Sequence, residues 1–156
     1  MLEEIHELSK LVFKHEYNGE DTLFEEGQKC DGLYILVSGE LDIYLKGTNY
    51  RFSKPLRMRT GGAIFGEISF FFDTTRTATA VSSRYCKIFF LQKENKRLFK
   101  RICPRIVKRL YMQIYTYKDE ALEAKKKILR TSVAYFANAE EKAIIELALQ
   151  METRYL

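Results

Sequence analysis

Glu67 and Arg76 stand nine residues apart in FGEISFFFDTTRTATA, residues 65–80, each among small residues. An arginine supplies an always-charged, planar fork, the natural partner of a phosphate. An ionised glutamate can only accept hydrogen bonds, so Glu67 suits a hydroxyl donor rather than an anion. Gly66, ahead of a short helical turn, lets backbone approach a ligand closely. The free N–H groups of Ile68 and Ser69 at the start of that turn favour negative charge. A ligand with one phosphate close to one sugar hydroxyl would satisfy all three, and a cyclic nucleotide has that chemistry.

These groups need a rigid frame. Residues 2–13 place Leu2, Ile5, Leu8, Leu11 and Val12 on one stripe, which predicts an amphipathic helix. From Tyr17 to Leu91 the pattern becomes short β-type runs: DTLFEE, GLYILVSG, ELDIYLKG, AIFGEISF, RTATAVSS and YCKIFFLQ. Turn signals such as Asn18-Gly19, Ser38-Gly39 and Gly61-Gly62 separate them. Many short strands at this spacing predict an antiparallel barrel, roll or sandwich. After Leu91 the signal is helical. KENKRLFKRI predicts a short helix closed near Cys103-Pro104, because the residue before a proline is pushed out of helical geometry. Pro104 suits the first turn of a long helix from Arg105 to about Arg130, with Ile106, Val107, Leu110, Ile114, Tyr117 and Ala121 on its inward face.

In the tail, Asn138 and Glu141 have the spacing of a capping box, predicting a last helix that buries Ile144, Ile145, Leu147 and Ala148. IIELALQMETRYL there parallels IHELSKLVFKHEY near the N-terminus, with one gap. That parallel predicts the lead-in to a second tandem copy. The expected organisation is a helical lead-in over 1–16, a roll over 17–92, lid and hinge helices over 93–130, and a helical tail over 131–156.

The chain has 156 residues, 46% apolar and 30% charged, as expected of one soluble domain with a helical extension. No apolar run reaches the length of a membrane span, and the charged N-terminus is not a signal peptide. Cys30, Cys86 and Cys103 are widely spaced and read as free thiols in a reducing, cytoplasmic setting. No HExxH, GxSxG or Walker pattern occurs, so catalytic residues and metal ligands are expected to be absent. The net charge of +5 is uneven: residues 87–130 hold fourteen Lys or Arg against four acids, leaving −5 for the remainder. That basic half is read as a solvated helix surface, Lys125-Lys126-Lys127 included, rather than a nucleic-acid interface.

FGEISFFFDTTRTATA resembles the phosphate-binding cassette of cyclic-nucleotide-binding domains, and DTLFEEGQKCDGLYILVSGELDIYL is similar to that family's first strands. The resemblance extends over about residues 1–130 and covers domains like those of kinase regulatory subunits and cyclic-nucleotide-gated channels. It implies a mostly β fold with flanking helices (α+β), an antiparallel β-roll or jelly roll followed by a long C-terminal helix. The implied ligand is cAMP or cGMP. The resemblance places Glu67 on the ribose 2′-hydroxyl and Arg76 on the cyclic phosphate, with the backbone of Gly66, Ile68 and Ser69 assisting. Phe65 and Ala78 complete the cassette. Thr77 matches a position where threonine can bond the guanine amino group, which tilts the choice towards cyclic GMP. Tyr115, Tyr117 and Ala121 are candidate lid residues over the base. Asp73, Thr75 and Ser69 depart from the commonest pattern; Asp73 is expected to cap a turn in solvent.

The implied role is regulatory signalling without catalysis, the partners being the nucleotide and an effector such as a kinase catalytic subunit or a channel. Nucleic-acid binding and direct membrane insertion are not implied. The alternatives are a degenerate domain serving as a protein-interaction scaffold and, behind it, a transcription regulator. Arg76→Glu is expected to abolish binding without unfolding the domain.

Overall fold

The β-type runs pair as two antiparallel four-stranded sheets in the computed structural model, which describes residues 2–45, 56–58, 61–116 and 120–151. The first sheet has the order β1-β8-β3-β6: Val12–Tyr17, Cys86–Gln92, Gly32–Ser38 and Ile64–Phe65. The second has the order β2-β7-β4-β5: Thr22–Phe24, Ala78–Ser82, Leu41–Leu45 and Leu56–Met58. This is the roll that the strand pattern predicts.

Strand alternation explains its core, since successive side chains point to opposite faces. Along β7, Ala78, Ala80 and Ser82 are buried while Thr79 and Val81 are half-buried. Phe24, Leu41, Ile43 and Ala80 of the second sheet join Tyr34, Leu36, Phe65, Ile88 and Phe90 of the first in one hydrophobic cluster. Gly39, at φ +99°, makes the turn from β3 to β4, and a Cβ there would lie 2.3 Å from the Tyr85 carbonyl oxygen. Only glycine fits so close a left-handed turn.

The chain forms two compact units, residues 1–110 and 111–156. In the first, helix α1 (Leu2–Ser9) precedes the roll and helix α2 (Glu67–Phe72) interrupts it. A 3-10 turn (Lys93–Asn95), α3 (Lys96–Ile102) and the start of α4 (Pro104–Tyr115) follow β8. The α3–α4 break at Cys103 is where the proline rule places it. In the second unit, α5 (Glu120–Ser132) and α6 (Glu141–Gln150) bury Leu122, Ile145 and Ala148 against Tyr115, Leu129 and Leu149.

Several elements differ from expectation. The N-terminal helix stops at Ser9 rather than near residue 13, and Val12 opens β1, registered on Leu91. A neighbouring strand has overridden helical periodicity there; within α1 the buried residues are Glu4 and Leu8, while Leu2 and Ile5 are exposed. AIFGEISF, expected as a strand, gives β6 for only two residues before α2 begins. The helix expected from Arg105 to about Arg130 is described as α4 and α5; residues 117–119, Tyr117 among them, lie outside the described residues. At the end of α4 the Thr116 hydroxyl donates to the Gln113 carbonyl, competing for the backbone of the last turn.

The last helix starts at Glu141 with Glu140, not Asn138, in the capping position and no side-chain cap bond. The preceding 3-10 turn (Ala134–Phe136) carries the chain past Asn138, with the Ala139 N–H donating to the Phe136 carbonyl. Ile144, Ile145 and Ala148 are buried as expected, whereas Leu147 is exposed. Lys126 is not a free solvated cation: it pairs with Glu123 and Glu141, and Arg130 also reaches Glu141.

Candidate functional site

Gly66 turns the chain from β6 into α2 with φ 77° and ψ 14°. That left-handed conformation is open to glycine at little cost. It also makes room, since a Cβ at Gly66 would lie 2.6 Å from Nη1 of Arg76. Phe65, just before it, is in the roll core. Glu67 and Ser69 are buried in the first turn of α2, with Ile68 half-buried. The first helical bond of α2 runs from the Phe70 N–H to the Gly66 carbonyl at 3.4 Å, so the earlier N–H groups have no intrahelical acceptor.

Arg76 is 1% exposed, which for an arginine demands compensation on every side. Its backbone is clamped first: its N–H donates to Gln28, and its carbonyl accepts from Gly27, both at 2.8 Å. Nη1 donates to the Gly66 carbonyl at 3.0 Å and to Ser69 Oγ at 2.9 Å. Nη2 donates to Asp31 Oδ1 and to the Gly32 carbonyl, both at 2.7 Å. The guanidinium carbon lies 4.4 Å from the Phe24 ring centre and 5.4 Å from that of Tyr34, a cation–π cradle. Nε alone is buried with no acceptor among the described residues. The fork thus ties the turn at Gly66 to the start of β3 and leaves its Nε–H without an acceptor among those residues.

The structure brings Phe65, Gly66, Glu67, Ile68, Ser69 and Arg76 around one turn, with Thr77 half-buried and Ala78 opening β7. Tyr115 ends α4, and its hydroxyl donates to Glu146 in the second unit at 2.5 Å. Burial, followed by Glu146, pushes that phenol's pKa well up. Ala121 lies on α5 with its side chain outside the described set. Asp73 does not crowd the guanidinium's described contacts. It caps the C-terminus of α2 at φ 53°, largely exposed, and accepts from Lys96 at 2.7 Å and Lys93 at 3.3 Å. The Lys96 hydrogen bond leads the causes that hold its carboxyl below the usual aspartate range.

Sequence reasoning missed Asp31 and Tyr34. Asp31 is one of six acids within residues 16–31 and carries no motif. The usable signal was indirect: a buried arginine needs a counter-charge. Tyr34 donates weakly to both Asp31 oxygens, at 3.3 and 3.4 Å, and burial followed by the Asp31 charge raises its phenol pKa. Among the described residues no cluster of three or more His, Cys, Asp or Glu could hold a metal ion. No helix among them is long and apolar enough to cross a membrane.

The roll is interrupted by a short helix, and a buried arginine faces the start of that helix. The chain belongs to the cyclic nucleotide-binding domain family, whose model matches residues 14–102. It is similar to the cGMP-dependent protein kinase egl-4 of Caenorhabditis briggsae, 23% identical over 153 residues, which are 98% of this chain and 18% of that kinase. The chain therefore spans under a fifth of that relative. Among solved structures it is similar to PKAR CBD2 bound to Sp-2Cl-cAMPS, with TM-score 0.59, 23% identity, and 79% of this chain and 73% of that chain covered. It also resembles the Catabolite Activator Protein of Thermus thermophilus, with TM-score 0.57, 17% identity, and coverage of 96% and 82%. At these identities the structural likeness bears on the fold.

Proposed function

We propose that residues 65–78 bind a cyclic nucleotide, cAMP or cGMP, in a regulatory and non-catalytic module acting on an effector such as a kinase or channel. The observation that carries this reading is Arg76: a fully buried guanidinium, fixed by four acceptors, whose Nε has none. The cyclic phosphate accepts from the fifth N–H, on Nε, Glu67 receives the ribose 2′-hydroxyl, and the Ile68 and Ser69 N–H groups assist. Thr77 favours cyclic GMP. Output follows only if the nucleotide binds two arrangements of the later helices unequally.

The test is thermal unfolding with cAMP, cGMP and 5′-AMP in parallel. A ligand at about 100 times its dissociation constant adds roughly 2.7 kcal/mol, a rise of a few degrees for a domain this size. The expected result is a rise with one cyclic nucleotide and none with 5′-AMP.

One observation favours a second reading. Asp31 already supplies Arg76 with a carboxylate at 2.7 Å, so the fork is charge-neutralised without a ligand. In that case the domain is a scaffold that keeps the fold, and no nucleotide moves the midpoint.

A further inference from the structure

From Arg97 to Arg109 the chain holds Arg97, Lys100, Arg101, Arg105, Lys108 and Arg109 and no carboxylate; all six are exposed on α3 and α4. Neighbouring lysines show what pairing looks like here, since Lys93 and Lys96 both hold Asp73, and Lys100 lies 5.5 Å from the Phe71 ring centre. Arg97, Arg101, Arg105, Lys108 and Arg109, by contrast, make no side-chain ion pair among the described residues. The opposite side of α4 turns Val107 and Leu110 inward, so the helix presents its cations to solvent by its own amphipathicity.

The same unit carries the complement. Residues 18–28 expose Glu20, Asp21, Glu25 and Glu26 and contain no lysine or arginine. Glu20, Glu25 and Glu26 have no ion pair among the described residues either. This acidic stretch is tied to the roll by backbone bonds: the Glu20 N–H donates to the Ser82 carbonyl, the Ser82 N–H to the Asp21 carbonyl, and Gly27 and Gln28 bond the Arg76 backbone.

We propose that the basic face of α3 and α4 is a docking surface for a second copy of this domain, which presents its residues 18–28. Arginine forks match carboxylates in paired hydrogen bonds, and four of the five unpaired cations are arginines. One contact with a second copy pairs the cations of one chain with the carboxylates of the other. A nucleic acid or an anionic membrane would use the cations and be repelled by the carboxylates of the same unit. The contact is head-to-tail, one surface on a different surface, so each copy keeps one free face for a further partner.

Sedimentation of the full chain at about 0.01 M and about 1 M salt tests this, since the screening length falls from about 30 Å to about 3 Å between them. The expected result is association at low salt and monomer at high salt. Arg97→Glu/Lys108→Glu/Arg109→Glu should stay monomeric, as should Glu20→Lys/Glu25→Lys/Glu26→Lys. Arg101 and Arg105 are left unaltered because they share a cleft with Glu3, Glu4 and Glu7. Mixed together, the two reversed variants should associate again, because each now offers what the other lacks; far-UV dichroism verifies that both are folded. A wild type that is monomeric at low salt overturns the proposal, and so does failure of the folded variants to rescue each other. Capture of single-stranded RNA or phosphatidylserine vesicles, lost in the first variant and unaccompanied by self-association, also overturns it and assigns the face to a polyanion.

Discussion

Arg76 holds the fold together at the site proposed for the phosphate, and this changes what its substitutions report. Arg76→Glu, on sequence grounds a clean binding knock-out, would set a carboxylate against the Gly66 and Gly32 carbonyls and beside Asp31. A buried charge left without a partner, as the introduced carboxylate would be, costs about 3–5 kcal/mol, so this variant is expected to unfold rather than simply fall silent; a cooperative wild-type-like melt would contradict that. Gly66→Ala is expected to cost on the order of 1–3 kcal/mol from its left-handed backbone alone. The Cβ would add a collision with Nη1, displacing the guanidinium. Both its unfolding midpoint and its ligand shift should drop. Glu67→Gln probes the proposed hydroxyl contact more gently. A hydrogen bond to a charged group contributes about 1.5–3 kcal/mol, so calorimetric titration should show roughly tenfold or greater weakening for the preferred cyclic nucleotide. Equal affinity would remove Glu67 from the ribose. The turn that brings Gly66 against Arg76 was legible in the sequence because its spacing is local. Asp31 was not, since 45 residues separate it from Arg76 and only the fold joins them.

Elements are tied together here by charges on helix ends. Glu4 of α1 is buried, and its carboxylate accepts from the backbone N–H groups of Arg105 and Ile106 at 3.0–3.1 Å. Pro104 has no N–H, so these are the first donors that α4 offers, and a carboxylate there complements the helix dipole. Glu4→Ala should cost about 0.5–2 kcal/mol, as for other lost caps, read as a lower urea midpoint with unchanged slope. Asp73 joins α2 to the start of α3 through Lys96 and Lys93. The pair is largely exposed, so it contributes at most about 1 kcal/mol and less in salt. Its sign with pH is fixed by the lowered carboxyl pKa: the stabilisation is present above the ordinary aspartate range and disappears as pH falls through the depressed value. Midpoints of wild type and Asp73→Asn should differ at neutral pH and converge in acid; a gap that persists in acid would mean the link is not ionic. None of this capping shows in sequence, because its donors and acceptors come from distant segments. What did show was periodicity where one element decides it alone, as in β7, β8 and the proline stop at Cys103. Periodicity misled where a partner strand recruited Val12.

At the scale of the whole molecule the two units differ sharply in what they bury. Residues 1–110 enclose a two-sheet core with Leu33, Leu36, Leu41, Ile88 and Leu91 fully covered. In residues 111–156 the described buried apolar residues are Ile114, Leu122, Ile144, Ile145 and Ala148, helped by the Lys126 and Arg130 ion pairs to Glu141. Helices of this length are marginal without tertiary packing, and local opening energies follow buried contact. Amide exchange without ligand should therefore be faster over Ile144–Leu149 than over β3 and β8. Saturating cyclic nucleotide then separates a passive binder from a sensor. If the cassette controls the later helices, slowed exchange should extend beyond residues 65–78 into α4 and α5, because ordering one part lowers the cost of ordering another only when the two are coupled. Protection confined to the cassette would leave binding intact and refute the coupling. Protection nowhere, with Arg76 still fixed by Asp31, would favour the scaffold, in which the protein has supplied its own anion.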